Sequence, residues 1–443
     1  MADEIETLDL IGDLPSNWKV ARFGDVLEGG TRNGIYKAKE FHGSGTKVVN
    51  MGELFAHPRL RDMPMKRVRL SDAELEKSCL NAGDLLFARR SLVAEGAGKC
   101  IVVTEVKEST TFESSIIRAR PNPKAADSLF LYYLFNSPYG AYVLRTIRRQ
   151  VAVSGITGTD LVELPIPLPP IAEQKAIAAV LGALDDKIEL NRRMNATLEA
   201  MARAMFQSWF VDFDPVRAKL DGRQPAALDP ATAAIFPASF QDAEAGQIPK
   251  GWIAQRLPDA IEVNPRRTLK GGTIAPYLDM KNLPTQGHSA DEVIDREFSS
   301  GTKFQNGDTL LARITPCLEN GKTGYVDFLE DRQVGWGSTE YIILSPKPPL
   351  PPQFCYLLAR SDALRTHAIQ NMTGTSGRQR VPSECFNNFW LAVPPSDIAH
   401  RFDEITAPLM ARIKANSTES RTLATLRDTL LPKLLGGELG HIS

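Results

Sequence analysis

The sequence predicts an α+β chain built from two pseudo-repeated mixed α/β domains, each followed by a long helix, with the two helices pairing as an antiparallel coiled coil. Three observations predict it. Short motifs recur in the same order in both halves. A fixed register relates two apolar stripes of helical spacing. A segment rich in Pro, Ala and Asp separates the two copies.

The repeat is read first because it decides the rest. Gly12-Asp13-Leu14-Pro15-Ser16-Asn17-Trp18 returns as Gly246-Gln247-Ile248-Pro249-Lys250-Gly251-Trp252, with Pro three residues before Trp in both. Asn81-Ala82-Gly83-Asp84-Leu85-Leu86-Phe87-Ala88-Arg89 returns as Gln305-Asn306-Gly307-Asp308-Thr309-Leu310-Leu311-Ala312-Arg313, and Pro169-Pro170 returns as Pro394-Pro395. After those prolines the offset stays at 225: Ile177 falls on Phe402, Leu184 on Leu409, Ile188 on Ile413, Asn191 on Asn416, Leu198 on Leu423 and Met201 on Leu426.

The first helix is expected from Ala172 to Phe210, a stretch free of Pro, with Pro169 and Pro170 just before it. The second is expected from about Asp397 to Leu431, with Pro408 inside as a source of a kink and Pro432 and Gly436-Gly437 as its end. Each carries one apolar stripe, so each needs a partner, and the two supply each other. Asn191 and Asn416 interrupt the stripes; a polar seam residue reduces stability but fixes register. The segment from Ile177 to Met205 would span roughly 43 Å, a little more than one DNA turn of about 34–36 Å. The domain boundaries that follow are 1–165, 166–210 (helical), 211–247 (linker), 248–393 and 394–443 (helical).

Within each domain, short β-like runs such as Asp84-Leu85-Leu86-Phe87 and Tyr341-Ile342-Ile343-Leu344 alternate with Gly-rich turns. The chain has 443 residues, a net charge of −1 and a pI near 6.6, so bulk charge makes no case for a polyanionic partner. Local clusters do. From Leu14 to Pro165 there are 22 Lys and Arg against 16 Asp and Glu; from Ile248 to Val393 the counts are 16 and 15. Arg145, Arg148 and Arg149 precede Gly155, Thr157 and Gly158. The second copy has Thr373-Gly374-Thr375-Ser376-Gly377-Arg378-Gln379-Arg380. Arg89, Arg90 and Lys99 flank one further Gly-rich turn; Arg313 and Lys322 flank its counterpart. A Gly-rich loop can approach a DNA groove closely, Arg can reach guanine and Gln adenine, and Lys or Arg can hold phosphates. The bland alternative is a solvated basic loop.

Catalytic motifs fail on inspection. Gly321-Lys322-Thr323 ends like a phosphate-binding loop, but Pro316 stands where that motif needs Gly. Pro258-Asp259 is not followed by the acid-x-Lys of a nuclease, and Asn264-Pro265-Arg266-Arg267 lacks the second Pro and aromatic of an amino-methyltransferase. Six scattered His and five Cys without a C-x-x-C pair suggest neither a metal site nor a disulfide framework. The acidic start Met1–Leu10 is unlike a secretory signal and no apolar run reaches membrane-spanning length, so a cytoplasmic, non-catalytic binding protein is expected.

The segment Leu164-Pro165-Ile166-Pro167-Leu168-Pro169-Pro170-Ile171-Ala172-Glu173-Gln174-Lys175 resembles the specificity subunit of type I restriction–modification enzymes. So do the Pro-x-x-Trp start, the Gly-Asp-x-Leu stretch and Trp209-Phe210-Val211-Asp212-Phe213-Asp214-Pro215. The second copy departs at Ser396-Asp397-Ile398-Ala399-His400, which lacks the Glu-Gln pair. The resemblance implies two target recognition domains reading two halves of a bipartite asymmetric DNA site. It also implies that the helices act as a spacer ruler and dock for two modification subunits. Those partners would bring S-adenosylmethionine, and restriction subunits would bring ATP and Mg; this chain would bind no cofactor. The residues implied in helix pairing and docking are Glu173, Gln174, Ile177, Leu184, Ile188, Asn191, Phe402, Leu409, Ile413 and Asn416. Two other readings are a coiled-coil scaffold with degenerate DNA-binding domains and a fused methyltransferase, the latter opposed by length.

Overall fold

The computed structural model describes residues 14–91, 96–149, 154–375 and 377–436. Met1–Leu10, Ser376 and Gly437, all invoked above, lie outside them. The chain divides into two compact units, Met1–Ile188 with Thr422–Ser443, and Glu189–Arg421.

The first unit is organised by a five-stranded sheet in the order Leu27–Asn33, Ile116–Pro121, Leu85–Ala88, Cys100–Val103, Arg59–Leu60. Its central strands are wholly buried, which is why they read as unbroken apolar runs instead of an alternation. On one face Phe23, Phe87 and Phe135 meet edge to face with centroids 4.8–6.0 Å apart. On the other, Leu54, Leu60, Leu86, Ile101 and Val103 form a second apolar cluster. Lys19–Arg22 pairs antiparallel with Pro165–Leu168, so the beginning of the globular part closes on its end.

The second unit repeats the first four strands of that five-stranded sheet in a four-stranded sheet. Ile261–Val263, Tyr341–Pro346, Thr309–Ala312 and Thr323–Tyr325 follow the same order, and Ile253–Arg256 pairs with Trp390–Val393. The small accessory sheets differ: three strands in the first unit, four in the second.

The repeated Gly-Asp motif has a structural cause. In both copies a turn closes from Asp84 N to Asn81 O and from Asp308 N to Gln305 O, at 3.1 Å each. Gly83 and Gly307 occupy its left-handed position at φ +94° and +89°, which favours glycine. The buried carboxylate then accepts from the backbone N of Asn81 or Gln305 at 2.8 Å and from an arginine, Arg120 or Arg267.

The long helices run Ile171–Phe206 and Ser396–Leu435. The second continues through Pro408 and Pro432, so Pro432 does not end it. In the first unit Leu431, Leu434 and Leu435 share a core with Ile177, Ala178 and Leu181, and Arg427 meets Asp185 at 2.7 Å. In the second unit Asn191 faces Asn416 to Ser420, and Asn195 faces Ile413 to Ser417. The pairing is therefore antiparallel within each unit. The buried stripe of the second helix runs through Phe402, Thr406, Met410 and Ile413, while Met201 and Leu426 are exposed.

The segment 211–247, read as a turn-rich linker, holds helices Asp214–Leu220 and Pro230–Ile235 and a hairpin, Phe240–Ala243 with Gly246–Pro249. Both helices have Pro in their first turn, where it is tolerated. The same prolines read as turn signals in the sequence. Trp209 and Phe210 pack against Phe402, with ring centroids 5.7 and 4.8 Å away.

Candidate nucleic-acid interface

In the first unit the end of one sheet strand meets the basic loop. Arg90–Ser91 pairs with Ser154–Gly155, Ile156 N donates to Arg89 O at 3.0 Å, and Arg149 bridges Gly155. Arg148 Nε donates to Ala97 O at 2.8 Å. So Arg89, Arg90, Arg148, Arg149 and Thr157, far apart in sequence, share one surface. Arg145 lies exposed at the end of the helix Pro138–Thr146, against the Tyr142 ring.

The second unit builds the same junction. Val381 N donates to Arg313 O at 2.8 Å, and Thr315 N to Gln379 O at 3.0 Å. Arg380 bridges both Ile314 and Thr373. Arg313, Thr375, Arg378, Gln379 and Arg380 therefore converge; Thr375 and Arg378 are exposed, and Arg378 N closes the loop onto Thr375 O.

Each junction carries a carboxylate that the sequence reading missed. Arg149 pairs with Asp160 at 2.9 Å. Arg380 grips Glu340 bidentately, Nη2 to Oε1 at 2.7 Å and Nε to Oε2 at 3.0 Å, and this hydrogen-bonded partner holds its guanidinium pKa above the ordinary value. Such solvent-screened pairs are weak, so a phosphate can displace the carboxylate. The signal for Asp160 was present: it lies three residues after Thr157, whose hydroxyl caps its backbone N. That cap engages the Thr157 side chain within the loop.

Two of the expected contacts are placed elsewhere. Lys322 Nζ donates to the carbonyls of Met280 and Lys281 at 2.6 and 2.9 Å, and Lys99 Nζ to that of Phe55 at 3.2 Å. Both lysines tie down a helical turn that follows a strand, Met280–Asn282 and Met51–Ala56. Their ammonium groups are thus engaged by backbone carbonyls.

The helix residues divide as well. Gln174 is buried, accepting from Asp127 N at 2.9 Å and donating to Pro169 O at 2.8 Å. It holds the helix on its own globular part and offers nothing to a partner, contrary to its expected docking role. Glu173 accepts from Trp18 Nε1 at 3.0 Å and Asn17 Nδ2 at 3.2 Å. The second copy makes the same tie in reverse: Gln353 donates to Asp403 and Thr406 on the helix, with apolar Ile398 and Ala399 buried at the helix start. Ile398 and Ala399 thus stand where the first copy has Glu173 and Gln174. Ile177 and Phe402 are buried in the globular cores. Leu184, Ile188 and Leu409 are half-buried, whereas Ile413, Asn191 and Asn416 are buried where the helices meet.

A domain model described as a type I restriction modification DNA specificity domain matches residues 15–200. The specificity subunit of the type I restriction enzyme HindI from Haemophilus influenzae is 23% identical over 96% of this chain and 100% of its own length. That of MjaIX from Methanocaldococcus jannaschii is 24% identical over 97% and 95%. Residues 15–200 match that DNA specificity domain, and the chain is similar to type I specificity subunits over nearly its whole length. A solved S subunit from M. genitalium has a fold similar to this chain's, with a TM-score of 0.54, 16% identity and coverage of 96% of this chain and 98% of that one. No helix among the described residues is long and apolar enough to cross a membrane, and no cluster of His, Cys, Asp and Glu there could hold a metal.

Proposed function

We propose that this chain is a type I specificity subunit that reads a bipartite asymmetric DNA site, one half with each globular part, and that its paired helices set the spacer and dock two modification subunits. The observation that carries the reading is the recurrence of one junction in both units. A sheet-strand end (Arg89 or Arg313) meets a Gly-rich basic loop (Arg149 to Thr157, or Thr375 to Arg380). A scaffold does not require this recurrence of Arg at an exposed loop; a DNA reader does. The chain itself binds no cofactor and performs no chemistry. Modification subunits bring S-adenosylmethionine and methylate adenine, and restriction subunits bring ATP and Mg. The compartment is the cytoplasm, where chromosomal and incoming DNA meet.

Footprinting of the complex with its modification subunits on random-sequence duplexes tests this. Two protected blocks separated by an unprotected spacer support the reading. Affinity should fall steeply with salt, because each phosphate contact releases counterions. A single block, or binding indifferent to salt, would return the chain to the scaffold reading.

A further inference from the structure

The first unit carries an arginine cluster that its fold does not require. Arg118 and Arg32 are direct partners across the antiparallel pair formed by Ile116–Pro121 and Leu27–Asn33. Like charges in that relation are destabilising. Arg120 lies two residues on from Arg118 and so projects to the same face. Both reach the Cys79 carbonyl, Arg118 Nη1 at 2.9 Å and Arg120 Nη2 at 3.0 Å. Arg120 is compensated by Asp84 at 2.7 Å. Arg118 is not: it is only 7% exposed, and among the described residues no carboxylate forms an ion pair with it. Burial first, then the nearby charges of Arg120 and Arg32, hold its pKa below the ordinary value, with Asp84 opposing.

The internal repeat supplies a control. Register places Arg118 opposite Leu86 and Ile343 opposite Leu310, and Leu86 matches Leu310 in the repeated Gly-Asp stretch. The second copy thus holds fully buried Ile343 at the Arg118 position and Ser345 at that of Arg120. An apolar residue satisfies the sheet there. A buried cation with no ion pair of its own is expensive in its place unless something else neutralises it.

That something has room. Arg32, Lys77, Arg118 and Arg120 line an open cavity of about 350 Å³, with Glu28, Gly29 and Glu76 at its edge. Glu28 and Glu76 are exposed. The four cations outnumber these two carboxylates in the lining.

We propose that this cavity is a phosphate-binding site, neutralising Arg118 with one phosphate group, either a free phosphate or a phosphodiester of bound DNA. The site is distinct from the two loop junctions and stands whether or not those loops read DNA.

The test uses the full-length chain and inorganic phosphate. Thermal melting is followed against phosphate concentration, with sodium chloride at matched ionic strength as the reference. The expected result is a saturable rise in melting temperature with phosphate, lost in Arg118→Ile and reduced in Arg32→Ala. Arg118→Ile carries the residue of the second copy, so it should fold, with a melting temperature in chloride at or above that of the parent. No phosphate-specific rise in the parent chain, or an equal rise in Arg118→Ile, overturns the proposal. Where the rise is present, ³¹P NMR with added non-cognate duplex assigns the source. Displacement of phosphate identifies the DNA backbone as the occupant and retention identifies a free ligand; both uphold the site.

Discussion

Truncating Asp84 to Ala is the sharpest test of how the repeated Gly-Asp motif works. The Asp84 side chain has no exposure; Oδ1 accepts from Arg120 Nε at 2.7 Å, and Oδ2 accepts from Arg120 Nη2 and from Asn81 N at 2.8 Å each. Removing one partner of a buried ion pair costs about 3–5 kcal/mol. The Arg120 side chain keeps 26% exposure, so water recovers part of its solvation. We therefore expect the low end, about 3 kcal/mol. For a unit of this size that corresponds to a fall of roughly 6–12 °C in melting temperature. Urea denaturation of the full chain, with hydrogen exchange of the strand Leu85–Ala88 as the local readout, measures it. Arg120→Ser, the residue of the second copy, should relieve much of the loss when combined with Asp84→Ala, because the stranded cation is then gone. A cost under about 1 kcal/mol, or strict additivity in that double-mutant cycle, would refute a buried ion pair as the reason for the motif.

Further outcomes follow from the same geometry. Lys322→Met removes two hydrogen bonds to backbone carbonyls and should lower stability by about 1–3 kcal/mol, while the salt dependence of DNA binding is unchanged; a reduced slope would return Lys322 to the interface. Arg378→Ala with Arg380→Ala should weaken protection at one half-site and lower the salt slope by about 2, and unaltered footprinting would remove them. Asn191→Ala loses the bonds to Glu419 and Ser420 and should cost about 1–2 kcal/mol by urea denaturation. A four-residue insertion after Leu190 should lengthen the spacer between the two recognised half-sites, read by footprinting; an unchanged spacer would sink the ruler.

The repeat made much of the fold legible. A fixed 225-residue register, matched prolines and the Gly-Asp turn are local features that backbone geometry imposes, so they survive in the sequence wherever the fold recurs. Helix pairing was legible for the same reason, since Asn191 and Asn416 stand out against apolar stripes. What was not legible depends on contacts between distant segments. Met201 and Leu426 fit the offset but face solvent, because an offset shared by two helices does not say which way each stripe turns. Lys99 and Lys322 flank Gly-rich turns like ligand-binding residues, yet their ammonium groups meet carbonyls some forty residues away in sequence. Gln174 read as a docking residue because the Glu-Gln pair is conspicuous; its burial comes from Asp127 and Pro169. Glu340 had no periodicity to announce it, Asp160 was marked only by its place three residues after Thr157, and the position of Arg118 opposite Leu86 depends on strand register.

The central claim is that this chain decides which DNA sequence is modified. Single-molecule methylome sequencing of a host with and without the gene, with candidate modification and restriction subunits present in both, tests it most directly. A bipartite adenine-methylated motif that disappears with the gene is the result predicted. An identical methylome in the two strains would contradict it.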